Sequence, residues 1–149
     1  MKKTLLIIMT AGILDAAPQS QGAEALSGEV RGLLSMEMLE IEKGMKRIFS
    51  NMVRGNYEPI VETATQIQNS FIFKRKLTAA QRTELKTKLP KAFIELDRSF
   101  HEAAGDLAAA AEFGDKNEVL ENYRTMVGKC VQCHATFARH RFEGFAEAE

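Results

Sequence analysis

The sequence predicts an all-α protein: an antiparallel four-helix bundle with a short extra helix in the crossover between the second and third long helices. Two observations lead to this fold class. Apolar residues recur at steps of three and four from about residue 27 onward, which is the period of an amphipathic helix. Caps and helix breakers divide this pattern into four long segments with short joints and one longer crossover, as in a four-helix bundle.

The first two helices are predicted from their caps and apolar stripes. Ser27 is the expected N-cap of a first helix that runs to about Asn56, where Arg54-Gly55-Asn56 supplies the stop. The second helix is predicted over residues 57–73, with Pro59 tolerated in its first turn. The stripe of the first helix contains Leu34, Met38, Ile41, Met45, Ile48 and Met52.

The remaining elements follow from similar signals. Thr78 and Gln81 form a capping-box pair that opens the short crossover helix, which we expect to end near Lys88. Pro90 starts the third long helix, which ends at Gly114. Its inner face is predicted to consist of Phe93, Leu96, Phe100, Ala103 or Ala104, and Leu107. Asp115 and Glu118 cap the fourth helix, whose inner side is predicted to carry Leu120, Tyr123, Val127, Cys130, His134, Phe137 and Arg141.

Composition limits the chain to one domain and argues against some partners. The 149 residues are 45% hydrophobic, enough for a single core but not for two. Twenty basic residues balance twenty acidic ones, so no net field favours nucleic acid or an anionic membrane.

The N-terminus has the form of a secretory signal peptide. Two lysines precede about eleven mainly apolar residues and then a small, polar stretch, and the apolar run is shorter than the roughly twenty residues that span a bilayer. We therefore predict a signal peptide over residues 1–23 and a domain over residues 24–149. The mature chain is expected in the periplasm, without a membrane span.

The two cysteines of the chain lie in the motif Cys-Val-Gln-Cys-His, residues 130–134. Cys-x-x-Cys-His is the attachment pattern of c-type haem, in which two thiols bond the porphyrin. On a helix, Cys130 and His134 share a face, and Cys133 lies one step to the side. We predict one covalent haem c on Cys130 and Cys133, with His134 as the proximal iron ligand.

Three other roles for the cysteine pair fit less well. A thioredoxin-like redox pair belongs near a strand-helix-strand pattern, and no strand is predicted. A zinc site needs four ligands, and only the two other histidines, one of them His101, could add to the local three. His101 itself is expected to face solvent beside Arg98 and Glu102. A disulfide would close a very small loop and constrain the unfolded chain little.

With its haem motif on the last helix of an exported bundle, the chain resembles the class II c-type cytochromes, that is, cytochrome c′ and its six-coordinate relatives, from about Ser27 to Phe142. In that family an aromatic residue and then a basic one follow the histidine. Phe137 matches the first, but Ala138 replaces the second, and Arg139 and Arg141 are nearby substitutes. The resemblance implies an exposed haem edge, and relatives often form homodimers, which makes a homodimer a candidate assembly here.

The distal side of the iron is predicted from the geometry of the bundle. The start of the first helix lies beside the end of the last, so residues 36 to 38 should lie opposite His134. Met36 and Met38 are about 200° apart around the helix, and only Met38 lies on the apolar stripe. Met38 is the predicted distal ligand; the alternative is that it only fills the core, as flexible methionines often do.

The distal ligand decides between two functions. A His/Met-ligated haem suits one-electron transfer between periplasmic redox proteins. If Leu34 or Leu39 covers the iron instead, the protein is a five-coordinate cytochrome c′ that binds NO or CO. Arg31 is a candidate contact for a haem propionate. We find no constellation of residues that predicts an enzyme.

Overall fold

The structure, a computed structural model, describes residues 22–145. The predicted signal peptide, residues 1–23, lies outside the described residues except for Gly22 and Ala23. Within the described part there are five α-helices and no strand, which confirms the predicted all-α bundle. They are α1 (Gly28–Met52), α2 (Tyr57–Asn69), α3 (Ala79–Lys88), α4 (Lys91–Glu112) and α5 (Lys116–Phe137).

The predicted caps account for where three of the helices begin. The Ser27 hydroxyl accepts from the Val30 amide at the start of α1. Thr78 and Gln81 form the full capping box of α3, the predicted crossover helix. The Asp115 carboxylate accepts from the amides of Asn117 and Glu118 at the start of α5. These bonds satisfy amide groups that have no partner inside a helix.

Two helix ends differ from the prediction. The second helix stops at Asn69 rather than at residue 73, because the chain turns so that Phe71 and Ile72 enter the core. The last helix stops at Phe137, and residues 139–141 form a separate 3₁₀ turn instead of continuing α5. Arg141 is exposed beyond the end of α5, so its predicted place on the inner side of that helix was wrong.

Side-chain links between the helices show that neighbours run antiparallel. Arg47 of α1 pairs with Glu62 of α2 at 2.8 Å, and the rings of Phe93 on α4 and Phe137 on α5 pack edge to face with centroids 5.4 Å apart. Tyr123 of α5 donates a hydrogen bond to the Met45 carbonyl of α1 at 3.4 Å. The first helix therefore begins beside the end of the last one, as the placement of the distal ligand requires.

The core has two parts along the bundle axis. The central core cluster joins α1, α2, α4 and the first half of α5, and consists of Ile41, Ile48, Ile60, Ala64, Ile67, Phe100, Ala103, Ala104, Leu107, Ala108, Ala110, Ala111, Val119 and Met126. The crossover cluster fills the end of the bundle under α3, and consists of Leu26, Val30, Leu34, Phe71, Ile72, Leu85, Leu89, Phe93 and Phe137.

The inner face of α5 is one residue out of step with the prediction. Val119 and Met126 are buried, whereas Leu120 and Val127 are exposed. Steps of four and three from Val119 pass through Tyr123, Met126, Cys130, Cys133 and Phe137, so the two cysteines remain on the inner side. His134 lies at the edge of this face and is half-buried.

No helix in residues 22–145 combines the length and the apolar character needed to cross a membrane.

Candidate haem-binding site

The haem motif lies on the last two turns of α5, where the two parts of the core meet. Cys130 packs against the central core cluster and Cys133 against the crossover cluster. Both thiols are free and only partly exposed. One turn near the end of α5 thus presents two thiols and an imidazole at the boundary between the clusters.

The surroundings of the thiols keep them protonated. Burial raises the pKa of Cys130. Burial, together with the negative charges of Asp97 and Cys130, raises the pKa of Cys133 to about 12. These shifts favour the protonated thiol over the thiolate, the form that ligates metals and attacks disulfides. No group of three or more His, Cys, Asp or Glu side chains in the described residues is arranged to hold a metal ion.

His134 has the protonation state that an iron ligand needs. Partial burial lowers its pKa, so the imidazole is neutral at pH 7 and keeps a lone pair for a metal. Val127 and Val131 share its side of α5 by helical spacing and expose about 40% and 48% of their surfaces. Exposed apolar side chains beside the motif fit a large apolar cofactor that covers them.

The spacing of the helices also fits a cofactor beside α5. Of the neighbouring pairs around the bundle, α1 and α5 approach one another least closely along their backbones. Tyr123 bridges them at the central end through its bond to the Met45 carbonyl and its ring contact with Phe49, whose centroid is 6.4 Å away. We call the boundary between these two helices, one of which carries the haem motif, the α1–α5 seam.

Met38 lies on the opposite side of this seam from the motif. It is half-buried and packs against both core clusters, the same two that Cys130 and Cys133 touch. Met36 exposes 55% of its surface, which confirms the prediction that only one of these methionines faces the core. Leu39 is also exposed, whereas Leu34 is buried in the crossover cluster. Met38 and Leu34 are therefore the distal candidates that point inward.

Arg31 lies on the exposed side of the first turns of α1. None of the described carboxylates forms an ion pair with its guanidinium within 4 Å. This placement leaves Arg31 available for an anionic group, and its predicted contact with a propionate stays a prediction.

A buried polar cluster next to the motif was not predicted from the sequence. Glu37, Asp97 and His101 expose only 0%, 7% and 3% of their surfaces. His101 Nε2 lies 3.5 Å from Glu37 Oε1 and 3.7 Å from Asp97 Oδ1. Its Nδ1 lies 2.6 Å from the Ile67 carbonyl and must donate to it. Glu37 precedes Met38, and Asp97 is close enough to Cys133 to raise its pKa.

The cluster is incompletely satisfied. Both Glu37 oxygens, Asp97 Oδ2 and His101 Nε2 have no hydrogen-bond partner among the described residues. Burial and the charge of Glu37 raise the pKa of Asp97 to about 7, while His101 acts against this shift. Buried polar groups without partners are costly, so this cluster is a feature that packing alone does not explain.

The expected exposure of His101 was therefore wrong. The prediction relied on the charged neighbours Arg98 and Glu102, but α4 packs against both α2 and α5 and buries a wider face than a single stripe. The signal that was available is the spacing: Asp97 and His101 are four apart, Asp97 lies four residues after Phe93, and His101 follows the buried Phe100.

Comparison with known families gives a match over most of the chain. A family model described as cytochrome c′ matches residues 34–138. The chain belongs to the cytochrome c′ family. Members of this family bind haem c, typically a single covalently attached group, and typically carry electrons or bind small gases. Neither the comparison with curated proteins nor that with solved structures finds a match.

Membership of the cytochrome c′ family confirms haem c as the cofactor and agrees with the donor set at the end of α5. The matched range includes Met38 and the whole motif, but Arg31 and everything after Ala138 lie outside it. Ala138, which stands where relatives place a basic residue, ends α5. Arg139 Nε then donates to the Ala135 carbonyl at 2.5 Å, so this basic group caps the helix.

Proposed function

We propose that the protein is a periplasmic electron carrier whose haem is bound through Cys130 and Cys133 and ligated by His134 and Met38. The observation that carries the proposal is the position of Met38. It is the one apolar side chain on α1 that packs against both core clusters, one of which Cys130 also contacts and the other Cys133. A thioether there fits an iron held by the opposite imidazole.

Each residue has a distinct role in this proposal. Cys130 and Cys133 would hold the haem covalently, each through a thioether formed when its S–H adds across one vinyl group. His134, through its neutral imidazole, and Met38, through its sulfur, would be the side chains that ligate the iron. The bound haem supplies one-electron chemistry, and methionine opposite histidine raises the reduction potential. Arg31 is placed to pair with a propionate, and partners are periplasmic redox proteins. A homodimer remains a candidate assembly, since members of the family often dimerise.

The second candidate function is binding of NO or CO at a five-coordinate iron. Two observations favour it: the match is to cytochrome c′ itself, and Leu34 is a buried apolar side chain one turn from Met38. If Leu34 covers the iron, the distal side is apolar and its coordination position is open. Met38 is then core filler between the clusters.

An optical titration of the matured protein separates the two functions. Spectra of the oxidised and reduced forms are recorded with and without carbon monoxide, for the wild type and for Met38→Ala. For an electron carrier we expect a low-spin spectrum with the weak far-red methionine-to-iron band and no response to carbon monoxide. Met38→Ala should abolish that band and create a carbon monoxide response.

Two methionine variants serve as matched controls. Met36→Ala removes an exposed methionine two positions away, and Met45→Ala removes a partly buried one further along the same stripe. Both should keep the wild-type spectrum. A high-spin wild-type spectrum that shifts with carbon monoxide would instead establish the gas-binding function. Haem that leaves the wild-type chain on a denaturing gel would overturn attachment through Cys130 and Cys133.

A further inference from the structure

The chain that follows α5 folds back over the haem motif. After Ala138, the 3₁₀ turn Arg139–Arg141 brings Phe142 back to His134, eight residues earlier, and a second 3₁₀ turn, Glu143–Phe145, follows. The two rings are stacked, with centroids 4.2 Å apart and planes 15° from parallel. This segment lies outside the range that matches the cytochrome c′ family model, so the match does not account for the contact.

Backbone hydrogen bonds hold the segment in this position. The amide of Arg141 donates to the Ala138 carbonyl at 2.9 Å, and the amide of Phe142 donates to the Arg139 carbonyl at 3.0 Å. The Arg139 side chain ties the same turn to α5 through the Ala135 carbonyl. Phe142 is thus delivered to the imidazole by an ordered turn.

The stacking leaves the imidazole able to bind iron. Phe142 covers a flat face of the ring, whereas the lone pair that a metal uses lies in the plane of the ring. Phe142 is itself 38% exposed, so it is not buried in a core that would explain its position. Its described aromatic contact is with His134. The geometry suits a side chain that limits rotation of the ligand and keeps water from one of its faces.

We propose that Phe142 is a positioning residue for the proximal ligand, which it holds in one rotational orientation and shields from solvent. This inference rests on the proposed role of His134 as iron ligand. Partners of a ligating histidine fix its ring orientation and tune the metal, and exposure to solvent is one of the levers on haem potential. Water at the imidazole favours the more highly charged ferric state, so removal of Phe142 should lower the potential.

The test compares haem-loaded wild type with Phe142→Ala, Phe142→Leu and Phe142→Tyr. The spread of the four haem methyl resonances in the paramagnetic ferric protein reports the orientation of the axial imidazole. We expect Phe142→Ala to change this spread and lower the reduction potential. Phe142→Tyr keeps the ring and should restore the wild-type pattern. Phe142→Leu keeps an apolar side chain without stacking, and should change the spread while it largely preserves the potential.

Phe145→Ala, in the next turn of the same segment, is the matched control and should leave both quantities at wild-type values. If Phe142→Ala and Phe142→Leu both keep the wild-type spread and potential, the inference is overturned even though His134 ligates the iron. Should Phe142→Ala fail to mature, the Phe142→Leu and Phe142→Tyr pair decides alone. A wild-type spectrum without histidine ligation would overturn the proposed function instead, so the two failures are distinguishable.

Discussion

The two ends of the bundle are built in different ways. Around the central core cluster, small residues let the helices approach closely: a Cβ added at Gly44 would lie 2.9 Å from Ile67 Cδ1, and one at Gly105 would lie 2.3 Å from Gln68 Nε2. Around the haem motif, three ionisable side chains are buried and two valines are exposed.

This difference suggests that one end of the bundle mainly stabilises the fold and the other mainly serves function. The end of the bundle that contains the central core cluster follows the ordinary rules of packing: α4 is rich in alanine there, and its partners are apolar. The end with the haem motif departs from these rules, because it buries ionisable side chains and exposes valines. Proteins tend to depart from packing rules at functional sites. We therefore expect substitutions at the central end to change the free energy of unfolding and those at the site end to change the haem.

The largest effect on stability is expected at Ile48, which is fully buried in the central core cluster. Ile48→Ala removes three carbon atoms from a close-packed site and should lower the free energy of unfolding by about 3 kcal/mol. Denaturant titration of the haem-loaded protein measures the loss, and the optical spectrum should not change. Phe113→Ala, at a residue that is 86% exposed, is the control. A changed optical spectrum in Ile48→Ala would contradict the idea that this part of the core affects stability alone.

A smaller, pH-dependent effect is expected at Asp97. Its pKa in the folded protein, about 7, is above the ordinary value of about 4. The folded state therefore binds more protons between these values, and its stability falls as the pH rises from about 4 to about 7. The full shift corresponds to at most about 4 kcal/mol. Solvent relaxation around the charge reduces this, and we expect about 2 kcal/mol.

Asp97→Asn should remove this dependence. The variant is expected to match the wild type near pH 3, where Asp97 is protonated in both states, and to be more stable by about 2 kcal/mol near pH 8, as measured by denaturant titration at both values. Asp106→Asn, on the exposed side of the same helix, should leave the wild-type slope unchanged. Equal slopes for wild type and Asp97→Asn would show that the cluster is relaxed by solvent and does not set the site end apart.

The smallest effect on stability is expected at the helix caps. Each end of the bundle has a side-chain cap, so the same kind of substitution can be compared at both ends. Asp115→Ala at the start of α5 and Thr78→Ala at the start of α3 each remove a side-chain cap. Each should cost about 1 kcal/mol, because local capping does not depend on the surrounding core. Thermal unfolding of the two variants measures this. A much larger loss for Thr78→Ala would show that α3 holds the crossover cluster in place.

Local signals in the sequence predicted most of the fold. The cap at Ser27, the capping box at Thr78 and Gln81 and the cap at Asp115 indicated three helix starts, because a cap involves only residues within one turn. Helix ends were less predictable. The second helix was expected to include Phe71, and the last to include Arg141, because both continue a helical period even though tertiary contacts redirect the chain there.

The site was predictable in part for the same reason. The haem motif is contiguous, and Met38 stands out from Met36 through its place on the stripe. Phe142 could not be found in this way, since its contact with His134 depends on how the chain turns after α5. The predicted inner face of α5 was also wrong by one residue. Val119 and Leu120 are both apolar, and the sequence alone does not say which of them faces inward.

The sequence by itself determined that this chain is a helical bundle with haem attached near its C-terminus, since helical period, caps and the cysteine motif are all short-range properties. Only the tertiary structure decided that Glu37, Asp97 and His101 share one buried space, because they come from two helices distant in the sequence. It also decided that Phe142 stacks on His134, because that contact depends on how the chain turns after α5. Burial and helix spacing depend on every partner of a helix at once, and no single segment of sequence contains that information.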